Sequence, residues 1–112
     1  MIDLLAGADR RAFGRRQTRQ HAFVHLRGVR PVRCLVTDLS EGGARLELAQ
    51  LCRVPLNFRL EWEGTGLEAM CEVRHQDSLT VGAMFTDGQG LKIIKAIFGN
   101  PKSLLVPEHL PR

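Results

Sequence analysis

From Leu56 to Trp62 the chain reads LNFRLEW, with Leu56, Phe58, Leu60 and Trp62 alternating with Asn57, Arg59 and Glu61. A period of two places the apolar set on one face of an extended strand and the polar set on the other. No other feature restricts the fold as strongly, because weaker versions recur along the chain. They are AFVHLR (22–27), VRCLVTD (32–38), ARLEL (44–48), LEAMCEVRH (67–75) and LTVGAMF (79–85). GVRP, LSEGG, EGTG and QDS punctuate them as turns. After Phe85 the period changes. QGLKIIKAIFGN sets Leu91, Ile94, Ile97 and Phe98 on one helical face and Lys92 and Lys95 on the other, with Gly99 as a stop and Pro101 beyond it. Six short strands and one amphipathic helix predict a mainly β fold: a six-stranded antiparallel β-barrel with a C-terminal α-helix packed against it. Closure suits so short a chain because it removes exposed sheet edges.

A chain of 112 residues makes one domain. Residues 1–21 are expected to form a flexible N-terminal arm, 22–99 the barrel and helix, and 100–112 a C-terminal tail. Apolar residues make up 44% and charged residues 25%, the balance of a soluble globular protein. Apolar runs fall far short of the roughly 20 residues a spanning helix needs. The opening MIDLLAG lacks the basic start of a secretory signal, so a cytoplasmic location is expected. Cys34, Cys52 and Cys71 form no CxxC pair and read as reduced, small hydrophobes.

Catalytic patterns are missing. The sequence has no GxSxG, no Walker loop and no GxGxxG fingerprint. His21 and His25 have metal-like spacing only on a helix, and this stretch reads as extended with no carboxylate nearby. The expectation is therefore a non-enzymatic protein with no metal and no cofactor.

Charge is distributed unevenly. Residues 1–33 hold eight arginines against two aspartates, a net of +6, whereas residues 34–112 hold eight basic and ten acidic side chains, a net of −2. The N-terminal excess is entirely arginine, the side chain whose planar fork meets phosphate, carboxylate or a guanine edge. Arg15 and Arg19 form an RxxxR pair with Arg16 between them; Arg11 and Arg15 form an alternative frame. Further on, DLSEGG brings Asp38, Ser40, Gly42 and Gly43 into one turn. A carboxylate there can accept from a ring N–H and an exocyclic amine, a hydroxyl is at hand, and the glycines permit positive φ and close approach of the backbone. Such an acid beside arginines makes a guanine reader. By itself DLSEGG is also a plain turn in which Asp and Ser cap the backbone.

RxxxR followed by a strand pair and Asp38-x-Ser40-x-x-Gly43 resembles the PilZ domain, the bacterial receptor module for cyclic di-GMP. GARLEL after the turn, EVRH on the fifth strand and VGAMF before the helix occur in that family's order, over roughly residues 11–99. The resemblance implies a six-stranded barrel with a helix that binds cyclic di-GMP on its surface. It implies that Arg15 and Arg19 grip guanine edges or phosphates, that Arg16 reaches phosphate, that Asp38 and Ser40 contact a guanine, and that Gly43 gives room. Arg11 and Gly42 are additional candidates. It further implies an arm that orders over the ligand and changes the surface shown to an effector protein governing motility, chemotaxis or exopolysaccharide production. Gly14 stands where the family varies, with consequences for whether one or two ligand molecules bind. His75 stands where the family often has Trp, which reads as a packing change.

Two other readings stay open. One is a degenerate module of the same family that binds protein only; the intact Arg15, Arg19, Asp38, Ser40 and Gly43 weigh against it. The other is a small nucleic-acid-binding barrel, opposed by the lack of stacking platforms, with no Tyr and one Trp.

Overall fold

The computed structural model describes residues 16–99. Its strands are β1 (Arg16–His25), β2 (Val32–Leu39), β3 (Gly43–Leu48), β4 (Asn57–Trp62), β5 (Glu68–Asp77) and β6 (Thr80–Phe85), followed by helix α1 (Gly90–Phe98). They close into an antiparallel barrel in the order β1-β2-β3-β6-β5-β4. The predicted fold class is the observed one.

Inward positions of each strand supply the core. Phe58, Leu60 and Trp62 of β4 are buried, as are Ala69 and Cys71 of β5 and Val81, Ala83 and Phe85 of β6. Trp62 and Phe85 meet edge to face at 6.2 Å, the offset their ring quadrupoles prefer. Because β3 pairs with β6 while β4 pairs with β1, residues 49–56 must cross one end of the barrel. Val54 of that crossing is buried, and the Gln76 side chain ties it down. The Val54 N–H donates to Gln76 Oε1 at 3.1 Å, and Gln76 Nε2 donates to the Cys52 carbonyl at 2.8 Å. Leu56, expected inside as the first residue of β4, lies instead on this crossing and is exposed.

Helix α1 sits at the opposite end, after β6. Its nine residues are too few for a stable isolated helix, so packing holds it. Gly90 and Ile93 are its buried residues, and Ile94, Ile97 and Phe98 are partly buried against the core. The expected apolar face is therefore rotated: Ile93 is inside and Leu91 is exposed. Burying Ile93 contributes about 1.5–3 kcal/mol. Gly99 ends the helix at φ 86°, its N–H donating to the Lys95 carbonyl at 2.8 Å, as a C-terminal glycine should.

A second correction concerns β1. The strand begins at Arg16 rather than Ala22, so residues 16–21 belong to the barrel wall and not to an arm. Hydrophobic alternation cannot detect this, because Arg16–His21 is polar on both faces; the ladder to β2 carries it instead. Arg11, Gly14 and Arg15 lie outside the described residues, as does the tail.

Cys34 and Cys71 are buried, and burial pushes both thiols from about 9 up to about 12, with Asp87 adding to the effect at Cys71. Unfolded thiols ionise near pH 8.5–9. Keeping these two protonated therefore favours the fold fully below about pH 9, and that contribution disappears as pH rises toward 12. Iodoacetamide at pH 8 is expected to alkylate native protein at Cys52 alone and to reach all three cysteines only after denaturation. Mass spectrometry reads the sites, and early labelling of Cys34 or Cys71 would contradict the closed barrel.

Candidate functional site at the helix end of the barrel

The β1–β2 ladder brings the arginine stretch beside the Asp-Ser-Gly turn. Gln17 pairs with Asp38 and Arg16 with Leu39. From Gln17 to Gln20 β1 advances three residues while β2 advances two, from Asp38 back to Val36. The extra residue is a bulge; the regular alternation from Val24 back through Ala22 leaves Arg19 on the exposed face next to an inward Gln20. A matching irregularity occurs in β2 against β3, where Val36 pairs with Leu46 but Asp38 with Arg45, leaving Thr37 as the extra residue. Its consequence is large. Val32, Cys34 and Val36 point inward, and a regular strand would send residue 38 after them. The bulge hands the next inward position to Leu39 and takes Asp38 out of the core-facing row, leaving it half-buried between Gln17 and Arg45 with its Oδ1 shielded from solvent.

The turn is built mostly from its own backbone. Ser40 Oγ accepts from the N–H groups of Gly42 and Gly43, each at 3.2 Å, and the Ser40 N–H donates to the Gly43 carbonyl at 2.9 Å. Ser40 thus shapes the turn that follows Asp38. The positive φ expected of Gly42 and Gly43 is not found. Gly43 is needed because a Cβ there would overlap the Ala83 carbonyl of β6. The Gly42 carbonyl accepts from the Phe85 N–H at 2.9 Å, fixing the turn to the end of β6.

Helix α1 touches both segments. At its start, a Cβ on Gly90 would overlap the Glu41 carbonyl, so the helix abuts the turn directly. At its end, the Arg16 guanidinium lies over the Phe98 ring, 5.2 Å from the centroid, within cation–π range. Arg16 and Arg19 therefore diverge, one toward the helix and the other outward. Among the described residues, Arg19 and Arg45 have no ion pair, whereas Arg33 and Arg59 are held by Glu63 and Glu68 at 2.9 Å.

Of the predicted site residues, Arg16, Arg19, Asp38, Ser40, Gly42 and Gly43 come together at this end of the barrel; Arg11 and Arg15 lie outside the described residues. Sequence reasoning missed two neighbours. Arg45 was read only as an outward strand residue, and its register with Asp38 is the missing signal. Phe98 was read only as part of an apolar helix face. His75 lies on the outer face, its ring 2.7 Å from where a Cβ on Gly82 would stand, so the pair packs ring against bare backbone.

A concavity of about 290 Å³ lies elsewhere, between α1 and the β4–β5 hairpin, lined by residues including Arg59, Leu67, Met70 and Ile93. Among the described residues, no group of three His, Cys, Asp or Glu could hold a metal ion, and no helix is long and apolar enough to cross a membrane.

The family model of the PilZ domain matches residues 9–99. A crystal structure of an uncharacterized Legionella protein superposes with a TM-score of 0.53 at 14% identity, covering 80% of this chain and 94% of that one, a likeness of fold. No curated protein matches this chain in sequence.

Gly43→Ala is expected to cost about 1–3 kcal/mol through overlap with the Ala83 carbonyl, whether or not any ligand is present. Urea denaturation measures it. Unchanged stability would mean that β3 and β6 do not approach as closely as described.

Proposed function

The chain belongs to the PilZ domain family, whose members are cyclic di-GMP-binding modules without enzymatic activity, and on that premise we propose that it is a cyclic di-GMP receptor. One observation carries the assignment to this face. Two segments about twenty residues apart in sequence become adjacent strands, with Arg16 and Arg19 on one and Asp38 on the other. The ligand presents two phosphates and two guanines. Guanidinium groups of Arg16 and Arg19, with Arg15 preceding them, fork onto phosphate oxygens or the N7/O6 edge. The Asp38 carboxylate accepts from the guanine N1–H and exocyclic amine, a donor pair that adenine lacks. Ser40 and Gly43 contribute by holding the turn in shape.

In this reading the segment before Arg16, with Arg11 and Arg15, closes over the bound ligand. Its ordering entropy is offset by charge-assisted hydrogen bonds. The closed arm alters the surface presented to an effector protein, in motility, chemotaxis or exopolysaccharide control.

Calorimetric titration with cyclic di-GMP, against cyclic di-AMP and GTP, tests the proposal. Saturable binding confined to cyclic di-GMP is expected. Arg19→Ala should weaken it by about 1.5–3 kcal/mol, the worth of a hydrogen bond to a charged group, with an unchanged Tm of the free protein. Equal affinity for cyclic di-AMP would rule out guanine reading by Asp38. Absence of heat with all three would leave a protein-interaction module.

A further inference from the structure

We propose that α1 is the positioning element of this site, and that Phe98 positions the Arg16 guanidinium for phosphate; the inference rests on the cyclic di-GMP reading above. Three contacts carry it. Gly90 abuts the Glu41 carbonyl in the turn, Ile93 is buried in the core between, and Phe98 lies under Arg16. One nine-residue helix therefore spans from the turn after Asp38 to the first residue of β1. Arg16 needs such a support. It begins its strand, is exposed, and its side chain has no hydrogen bond or ion pair among the described residues.

A guanidinium engages an aromatic ring through its face, while its five N–H donors lie in the plane and point outward. Phe98 therefore does not compete with phosphate for Arg16. It restricts the side chain's rotamers and leaves the donor edge free, which lowers the ordering cost of binding. Coupling of this kind is reciprocal, so a ligand that holds Arg16 also steadies the last turn of α1.

Two substitutions separate the ring's electrostatics from its bulk. Phe98→Leu keeps an apolar side chain against the core but removes the π face; Phe98→Trp keeps the face. By calorimetry Phe98→Leu should bind cyclic di-GMP two- to fivefold more weakly, the range expected of an exposed cation–π contact, and Phe98→Trp should bind as wild type. In an Arg16→Ala background Phe98→Leu should have no further effect. Wild-type affinity in Phe98→Leu, equal losses in the Leu and Trp variants, or a Leu effect that persists without Arg16 would each overturn the inference. Amide exchange of the ligand-free protein provides a readout independent of binding: residues 16–19 should exchange faster in Phe98→Leu than in wild type. Equal rates there would overturn the positioning role itself. Failure of the wild type to bind cyclic di-GMP would instead overturn the reading on which the inference rests, and the inference with it.

Discussion

Gly43 and Ala83 approach so closely that no side chain fits between the glycine Cα and the facing carbonyl. This contact belongs to the β3–β6 ladder, which with the β1–β4 ladder joins the three N-terminal strands to the three C-terminal ones and closes the barrel. It also anchors the turn before it, because the Gly42 carbonyl takes the Phe85 N–H and Ser40 folds the intervening backbone onto itself. With the turn fixed, the Glu41 carbonyl becomes the surface on which Gly90 starts the helix. A backbone approach that excludes a methyl group thus sets, in sequence, the closure of the sheet, the shape of the turn and the seat of α1.

Function is placed where these constraints meet. The bulge at Thr37 is the device that takes Asp38 out of the core and gives its inward place to Leu39. A carboxylate facing the core alone would cost several kcal/mol, a penalty the bulge avoids. In β1 regular alternation from Ala22 and Val24 already puts Arg19 outward beside the inward Gln20. The barrel wall here thus carries a carboxylate near the guanidinium groups of Arg16, Arg19 and Arg45, none of which has an ion pair among the described residues.

Much of this was legible in the sequence, for physical reasons that differ by element. Strand β4 announced itself because Phe58, Leu60 and Trp62 all point into one core, and Gly99 marked the end of α1 because its φ suits few other residues. The start of β1 was illegible, since Arg16–His21 has no apolar face and is a strand only by virtue of its partner. Helix phase failed at one position: in a run containing Leu91, Ile93 and Ile94, periodicity admits two apolar faces, and seating Gly90 on the turn selects Ile93. The bulges left no trace, because an extra residue exists only relative to the opposing strand. For the site, residue types and spacing named Arg16, Arg19 and Asp38, while Arg45 and Phe98 emerged only from register and packing. The positive φ expected of Gly42 and Gly43 is not found, and Gly43 instead admits the close approach of β6.

In the proposed function the start of β1 and the turn after β2 form one binding face for cyclic di-GMP. Hydrogen–deuterium exchange with and without the ligand tests it most directly, because it reports location as well as occupancy. The account predicts slower exchange on binding at residues 16–20 and 38–43, with the crossing loop 49–56 at the far end unchanged. Protection confined to that loop, or to the groove between α1 and the β4–β5 hairpin, would contradict it.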